Sequence, residues 1–225
     1  MFTDMSFDIR FYDPAIASKV TRNRLPHWEQ AGATYFLTFR LADAVPAEAL
    51  GAFIREKREW LAAHPEPPWP PDVEKEYQRK FSGRFECWLD RGYGGCLLRD
   101  PGNAAIVEEA LRHFEGERSQ LHSWVIMPNH VHALFSLADG ISLGSLLHSW
   151  KGFSARQINL RAGTSGSIWQ KSYFDRIVRD WDHFASCARY IRNNPVKAKL
   201  TTGGYVLGES ELVRKMLGVA ASGPP

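Results

Sequence analysis

Cysteine, long apolar runs and an N-terminal targeting pattern are scarce or missing in this sequence, and each absence excludes a class of protein. The three cysteines are Cys87, Cys96 and Cys187; they form no C-x-x-C pair and cannot all be bridged, so we expect a reducing cytoplasm. The longest apolar runs are short, such as Trp124–Met127, so the sequence predicts no membrane span. The N-terminus lacks a basic region followed by an apolar one, so no signal peptide is expected.

The composition is that of a globular protein, with 44% hydrophobic and 24% charged residues in a chain of 225. This length suits one domain, which we expect over residues 1–225. A proline-rich stretch at His64–Pro71 cannot continue a helix or a central strand. We interpret about 45–100 as an insertion of two helical pieces around this break, packed against the outside of the core.

Positive charge is concentrated in one segment. The net charge is +3, but residues 141–200 hold ten Lys or Arg against three Asp, which makes that segment +7 and the rest of the chain −4. A solvated charged face is the simplest interpretation of such a run. A basic block in an otherwise acidic chain is better explained by a polyanionic partner, with phosphate as the obvious anion.

Hydrophobic periodicity gives the order β-α-β-β-α-β-α, which begins with the strand at Thr34–Leu41. The pattern predicts further strands at 121–127, 130–137 and 172–178. It predicts helices that begin at Asn103, Ser142 and about Asp180, the last of them ending before Pro195. This order favours an α+β fold, a ferredoxin-like antiparallel sheet with helices on one face, plus the helical insertion.

The stretch MPNHVHALF places His130 and His132 on one face of a predicted strand, because side chains alternate along a strand. The opposite face is apolar, with Val131, Ala133, Phe135 and Leu137. We expect the two imidazoles on the open face of the strand, as metal ligands or phosphate contacts, or as surface polar groups. Other H-x-H chemistries fail: a histidine triad would need histidine where Leu134 stands, and a cupin would need an acid at Ser136.

Tyr190 and Asn194 lie four residues apart, which places them on one face of the last predicted helix. Each has an ordinary interpretation, since asparagine before proline often ends a helix and tyrosine often fills a helix–sheet seam. Together with the two histidines they have a chemical logic. Two neutral imidazoles and one amide oxygen can hold a divalent cation and leave positions for phosphate oxygens, while a nearby tyrosine attacks phosphorus.

Four motifs together resemble one protein family. The stretches HSWVIMPNHVHALF, LHSWKGFSARQIN, IWQKSYFDRIVRD and ARYIRNNPVKAKL are similar to the REP-associated tyrosine transposases, members of the HUH single-tyrosine transposase superfamily. The resemblance covers Thr34–Leu41 and about Cys96 to Leu200. It implies a metal-dependent DNA endonuclease and strand transferase that acts on single-stranded or hairpin DNA, including repetitive palindromes.

The resemblance also implies a role for individual residues. His130 and His132 match the pair that binds Mg²⁺ or Mn²⁺, and Asn194 matches the third ligand. Tyr190 matches the nucleophile that remains joined to DNA through a 5′-phosphotyrosine bond; Tyr173 is a rival at a position that varies in the family. From the basic motifs and the basic segment, the expected DNA-binding residues are Lys151, Arg156, Arg176, Arg179 and Arg192.

Two departures from the family leave alternatives open. The region Val45–Asp100 is longer than in the smallest members, and the tryptophan-rich stretch that follows N-P in many members is missing here. One rival function is a DNA-binding protein that has lost cleavage, and another is a small metal-dependent nucleotide hydrolase. The sequence leaves open whether the protein is a monomer or a homodimer.

Overall fold

A five-stranded antiparallel sheet organises this protein, for which a computed structural model describes residues 8–16, 19–22, 26–64 and 69–218. The strands are β1 (Lys19–Arg22), β2 (Pro26–Glu29), β3 (Thr34–Arg40), β4 (Ser119–Ile126), β5 (His130–Leu137), β6 (Phe174–Ile177) and β7 (Val206–Glu209). The helices are α1 (Ala47–Ala63), α2 (Pro71–Tyr77), α3 (Arg84–Asp90), α4 (Pro101–Arg112), α5 (Leu143–Ala162), α6 (Trp181–Lys197) and α7 (Glu211–Leu217). A π-helical turn, Gln78–Gly83, joins α2 to α3.

The order of strands in the sheet is β6-β3-β5-β4-β7, and β1 pairs with β2 in a separate hairpin. The units β3-α4-β4 and β5-α5-β6 give strands β6, β3, β5 and β4 the arrangement of a ferredoxin-like fold. Strand β7 is added at the β4 edge. The predicted α+β class and antiparallel sheet are therefore confirmed. The pattern did not reveal β7, α7 or the β1–β2 hairpin.

Helices cover both faces of the sheet, not one as expected. The first face is apolar along β3 and β5 and packs against α4 and α5, which bury Leu111 and Trp150 in the main core. The second face carries Phe36 and Leu134, which pack against Phe184 and Ile191 of α6. The central strands are buried at every position, so both faces need a cover.

Helix boundaries follow the capping residues. Ser142 and Asp180 accept hydrogen bonds from the backbone amides of Ser145 and His183, so α5 and α6 begin where they were predicted. The prediction of a start at Asn103 was wrong, because Asp100 caps α4 by accepting from the Asn103 amide. The prediction that α6 ends before Pro195 was also wrong. Pro195 lies inside the last turns of the helix, where its missing N–H removes only one hydrogen bond.

The region between β3 and α4 forms helices on either side of the proline-rich stretch, as predicted. Residues 65–68 of that stretch lie outside the described residues. The region is not confined to the outside of the core: Phe53, Phe81 and Phe85 are buried in the main hydrophobic cluster. This packing brings α3 close to the histidine-bearing face of β5.

Candidate active site

Two histidines of β5 form the centre of the candidate site. His132 lies opposite Thr38 of β3 and His130 lies opposite Arg40, so all four side chains occur on one face of the sheet. The two imidazole ring centroids are 4.7 Å apart. The expectation that this face is open was wrong, since each histidine is only 1% exposed. Helix α6 and its neighbours cover the face because Phe36 and Leu134 need burial there.

Asn129 fixes the protonation of His130. Its Nδ2 donates to the carbonyl oxygens of Leu89 and Tyr93, at 3.2 and 3.3 Å, and carbonyl oxygens can only accept. The amide oxygen of Asn129 therefore faces His130 and accepts from Nδ1–H at 2.7 Å. The Nε2 atom of His130 is left with its lone pair, buried and without a partner among the described residues.

His132 is also oriented by a hydrogen bond to its Nδ1, in this case from strand β3. Its Nδ1 forms a 2.8 Å hydrogen bond with the Thr38 hydroxyl, and its ring stacks on Phe36 at a centroid distance of 5.6 Å. Both imidazoles thus have Nδ1 occupied and Nε2 directed away from the strand pair. Hydrogen bonds to the second ring nitrogen commonly orient metal-binding histidines.

Helix α6 carries Asn194 and Tyr190 on one face, as the four-residue spacing predicted, and this face lies against His132. Asn194 is fully buried; its Nδ2 donates to His132 Nε2 at 3.4 Å, and its Oδ1 has no partner among the described residues. Rotation of the amide would present Oδ1 to the same point. The Tyr190 ring lies 5.1 Å from the His132 ring, centroid to centroid, and its hydroxyl is buried without a partner in the described part of the chain.

These residues fit a divalent cation. Within the described ranges, no three His, Cys, Asp or Glu side chains form a group that could hold a metal ion. A three-ligand site here therefore needs the amide of Asn194 beside the two imidazoles. Burial lowers the pKa of His130 to about 3 and, with the neighbouring His130, Lys197 and Arg176, lowers that of His132 well below its ordinary value. Both rings are neutral, which is the form that binds metal.

Charged residues surround the phenol of Tyr190. Burial raises its pKa, and the negative charges of Glu86 and Asp90 raise it further, while Arg176 opposes them. The ammonium of Lys197 lies 5.3 Å from the centre of the Tyr190 ring. The phenol is thus protonated at neutral pH, and its oxygen would need activation by a cation or a base to serve as a nucleophile.

Helix α3 covers the site. It supplies Glu86 and Asp90, and the two carbonyls that hold Asn129 belong to its last turn and the following loop. Sequence reasoning missed both carboxylates, because no spacing links residues 86 and 90 to residue 190. The position of Lys197 could have been predicted. It follows Tyr190 by seven residues, which is about two helical turns, so both side chains lie on the same face of α6. Asn129 directly precedes the first histidine, but a Pro-Asn pair between two strands is typical of a short turn.

The rival nucleophile Tyr173 lies elsewhere. It directly precedes Phe174, which pairs with Thr38 of β3, and it packs against the main core. Tyr190 packs against the second core, on the histidine-bearing face. The structure thus brings Tyr190, and not Tyr173, to the two histidines.

The five predicted DNA contacts differ in their surroundings. Arg156 and Arg179 are exposed, and Arg176 is half-buried. Lys151 donates to the backbone carbonyls of Gln170 and Lys171. The Arg192 guanidinium is occupied: it binds both carboxylate oxygens of Glu209, at 2.8 and 2.9 Å, and the carbonyl of Gly218. These hydrogen bonds hold β7 and the end of α7 in place, and a contact of Arg192 with DNA stays a prediction.

Among the described helices, none combines the length and apolarity needed to cross a membrane.

No curated protein matches the chain. Solved structures similar to it include a REP-associated tyrosine transposase bound to a REP hairpin, with 17% identity, a TM-score of 0.43, and 78% of this chain and 73% of that chain covered. Another is a transposase-like protein of Deinococcus radiodurans R1, with 14% identity, a TM-score of 0.37, and 83% and 98% of the chains covered.

The family described as "Transposase IS200 like" matches residues 103–194. This range begins in α4 and ends in α6, and it includes the histidine pair and the tyrosine–asparagine pair. The match thus covers three of the four motifs in full and the fourth as far as Asn194. Residues 103–194 are thus similar in sequence to the IS200-like transposases, in agreement with the family resemblance found in the motifs.

Proposed function

We propose that this protein is a metal-dependent, single-tyrosine DNA endonuclease and strand transferase that acts on single-stranded or hairpin DNA. The observation that carries the proposal is the meeting of four groups between the sheet and α6. His130 Nε2 and Asn194 Oδ1 are buried without a partner among the described residues, His132 Nε2 bonds only the Asn194 amide, and the Tyr190 ring lies 5.1 Å from the His132 ring. A nucleophile and a metal site that serve one phosphate must be neighbours in this way.

His130 Nε2, His132 Nε2 and Asn194 Oδ1 would hold Mg²⁺ or Mn²⁺. The bound cation would withdraw charge from a phosphodiester and leave coordination positions for its oxygens. Thr38 and Asn129 contribute by fixing the ring orientations, so the two Nε2 atoms are prearranged. The family resemblance supports Mg²⁺ or Mn²⁺ over other divalent cations.

Tyr190 would supply the attacking oxygen. A bond forms from its Oη to phosphorus, the 3′ oxygen of the preceding nucleotide leaves, and the DNA remains attached through a 5′-phosphotyrosine. The phenolic proton must pass to an acceptor, and the carboxylates of Glu86 and Asp90 are candidates because their charges act on this phenol. Lys197, above the ring, would favour the ionised form.

DNA must reach a site that is closed in this structure. The Tyr190 hydroxyl and His130 Nε2 are buried, and α3 with its following loop is bonded to the site through Asn129. We infer that α3 moves when a strand enters. The exposed cations Arg156 and Arg179, together with Arg176, are proposed to contact backbone phosphates.

A labelled single-stranded hairpin incubated with the protein and Mn²⁺ tests the proposal. A DNA–protein adduct that resists denaturation should form, and Tyr190→Phe should abolish it because the attacking oxygen is removed. Tyr173→Phe is the matched control and should leave the adduct unchanged. Loss of the adduct in the control alone would assign the nucleophile to Tyr173.

A DNA-binding relative that does not cleave is the second candidate. The burial of the Tyr190 hydroxyl favours it, because a nucleophile that never becomes accessible cannot react. Hairpin binding without any adduct, over a range of Mn²⁺ and Mg²⁺ concentrations, would select this candidate.

A further inference from the structure

Arg40 is a buried cation with unused hydrogen-bond donors. It lies in β3 on the same sheet face as the histidines, directly opposite His130. The residue is 1% exposed, and neither Nη1 nor Nη2 has an acceptor among the described residues. Buried arginines normally bind carboxylates or carbonyls, because an unpaired guanidinium loses its hydration without compensation.

A second buried basic residue packs on the same aromatic ring as Arg40. Lys57 of α1 is 4% exposed; its Nζ is 4.9 Å from the ring centre of Phe174, while the Arg40 Cζ is 5.7 Å from the same ring. Burial lowers the pKa of Arg40 to about 10 and that of Lys57 to about 7, where Arg176 lowers and Asp175 raises the latter. Two basic side chains thus share one aromatic ring, and Asp175 is the acidic group that acts on Lys57.

Aromatic contacts do not replace the missing acceptors. The Phe85 ring of α3 lies 4.6 Å from the Arg40 Cζ, and a ring face attracts a cation but accepts none of the in-plane N–H bonds. A tetrahedral oxyanion offers several acceptor oxygens, and it matches a guanidinium fork combined with an ammonium group. The position beside His130 would place such an anion next to the candidate metal site.

We propose that Arg40 and Lys57 form a second phosphate-binding site, which holds a backbone phosphate of the DNA strand beside the metal site. The identity of the ligand as DNA rests on the proposed function, whereas the anion site itself does not. Phe85 covers the guanidinium, so the same movement of α3 that admits DNA to Tyr190 would open this site. One displacement would then expose the nucleophile and the phosphate site together.

Thermal unfolding in sodium phosphate, compared with sodium chloride at equal ionic strength, tests the anion site without DNA. Phosphate should raise the melting temperature of the wild type in a saturable manner, and Arg40→Met and Lys57→Met should each lose this response. In chloride, Arg40→Met should melt at or above the wild type, because a buried unpaired charge has been removed. The control is Arg118→Met: this guanidinium also lies on a ring, Phe114, but binds Ser145 and Ser149.

Three results would overturn the site. The wild type could show no phosphate-specific shift, Arg40→Met could keep the shift, or Arg40→Met could fail to fold, which would make the cation a structural part of the core. Lys57→Met provides a separate measurement, since a full phosphate response in this variant would exclude the two-cation site.

Single-stranded DNA with one neutral methylphosphonate at a time identifies the source of the phosphate. Without metal, one position should weaken wild-type binding about tenfold, and the same replacement should have no further effect in Arg40→Met. A phosphate response without any such DNA position would assign the site to a free phosphate and overturn the DNA ligand. If the protein cleaves DNA but shows neither the phosphate-specific rise in melting temperature nor a sensitive methylphosphonate position, this site is rejected and the proposed function stands.

Discussion

Asn129 connects the histidine pair to the helix above it, and this side chain sets both the tautomer and the orientation of His130. Replacement by alanine would free the ring and leave two backbone carbonyls without their donor. Outer hydrogen-bond partners of metal ligands typically contribute 10- to 100-fold in affinity. We therefore expect Asn129→Ala to weaken Mn²⁺ binding by about tenfold or more, measured by titration calorimetry.

The matched control for this prediction is Asn103→Ala. Asn103 of α4 is a buried amide that donates to the carbonyl of Leu97, and it forms no hydrogen bond with either histidine. Both variants lose a buried amide-to-carbonyl hydrogen bond, which costs about 1 kcal/mol or more of unfolding free energy. Equal Mn²⁺ affinity in the two variants would show that Asn129 has no role in orienting the metal ligand.

Three buried histidines should make the protein sensitive to acid. Burial lowers the pKa of His122 to about 4 and that of His130 to about 3, and it lowers that of His132 as well. In the unfolded chain each ring titrates near pH 6.5, so below that pH only the unfolded state binds the protons. The unfolding free energy should therefore fall with decreasing pH, by about 2 kcal/mol for each ring at about pH 5.

Denaturant unfolding between neutral pH and pH 5 measures this dependence. Glu86 and Asp90 act in the opposite direction, because burial raises their pKa values. His122→Gln should reduce the decrease, since one buried ring is removed outside the candidate site. The surface variant His113→Gln should retain the full decrease; a flat profile in the wild type would contradict the neutral, buried state of the rings.

Among the secondary-structure elements, β7 depends on one glycine. A Cβ at Gly208 would lie 1.9 Å from Cζ2 of Trp124 in the neighbouring strand β4. Strand β7 also carries Glu209, the partner of Arg192. Gly208→Ala should therefore displace the strand and break this ion pair, with a loss of about 3 kcal/mol of unfolding free energy.

Gly152→Ala is the control of opposite sign. This glycine lies within α5, and a Cβ there would meet nothing within 4 Å. Alanine should stabilise the helix by about 0.5–1 kcal/mol. Thermal melts of both variants would measure the two effects, and an unchanged melting temperature for Gly208→Ala would mean that β7 contributes little to the stability of the sheet.

The elements could be predicted from the sequence to the extent that their signals were local. Alternation placed His130–Leu137 correctly, and the caps Ser142 and Asp180 gave the starts of two helices. The second covered face was missed because only Val131 and its alternate neighbours were considered, although Leu134 is apolar too. The contacts of Glu86, Arg40 and Lys57 depend on how the region between β3 and α4 packs, which no short-range pattern encodes.

At the level of the whole molecule, the concentration of positive charge between residues 141 and 200 should control DNA binding. Each phosphate neutralised by Lys or Arg releases counterions, so the affinity for single-stranded DNA should fall steeply with salt. Arg156→Gln should lower the affinity and reduce the salt dependence, without a change in stability, because this side chain is exposed.

Arg192→Gln should behave in the opposite way. It breaks a largely buried ion pair, in which the side chains are 15% and 8% exposed, and so should destabilise the fold by about 3 kcal/mol. Its effect on the salt dependence should be small. Fluorescence anisotropy at several salt concentrations, together with melts, separates the two cases; a salt slope that Arg156→Gln leaves unchanged would place the DNA surface elsewhere.

The hydrogen bonds of His132 also have a kinetic consequence. They join it to Thr38, 94 residues earlier in the chain, and to Asn194, 62 residues later. Contacts of such long range close late in folding, because the chain must first lose the entropy of large loops. A metal held by this site would therefore leave the folding rate almost unchanged and slow the unfolding rate instead. The bound ion would therefore extend the lifetime of the folded state, with little influence on how quickly that state forms.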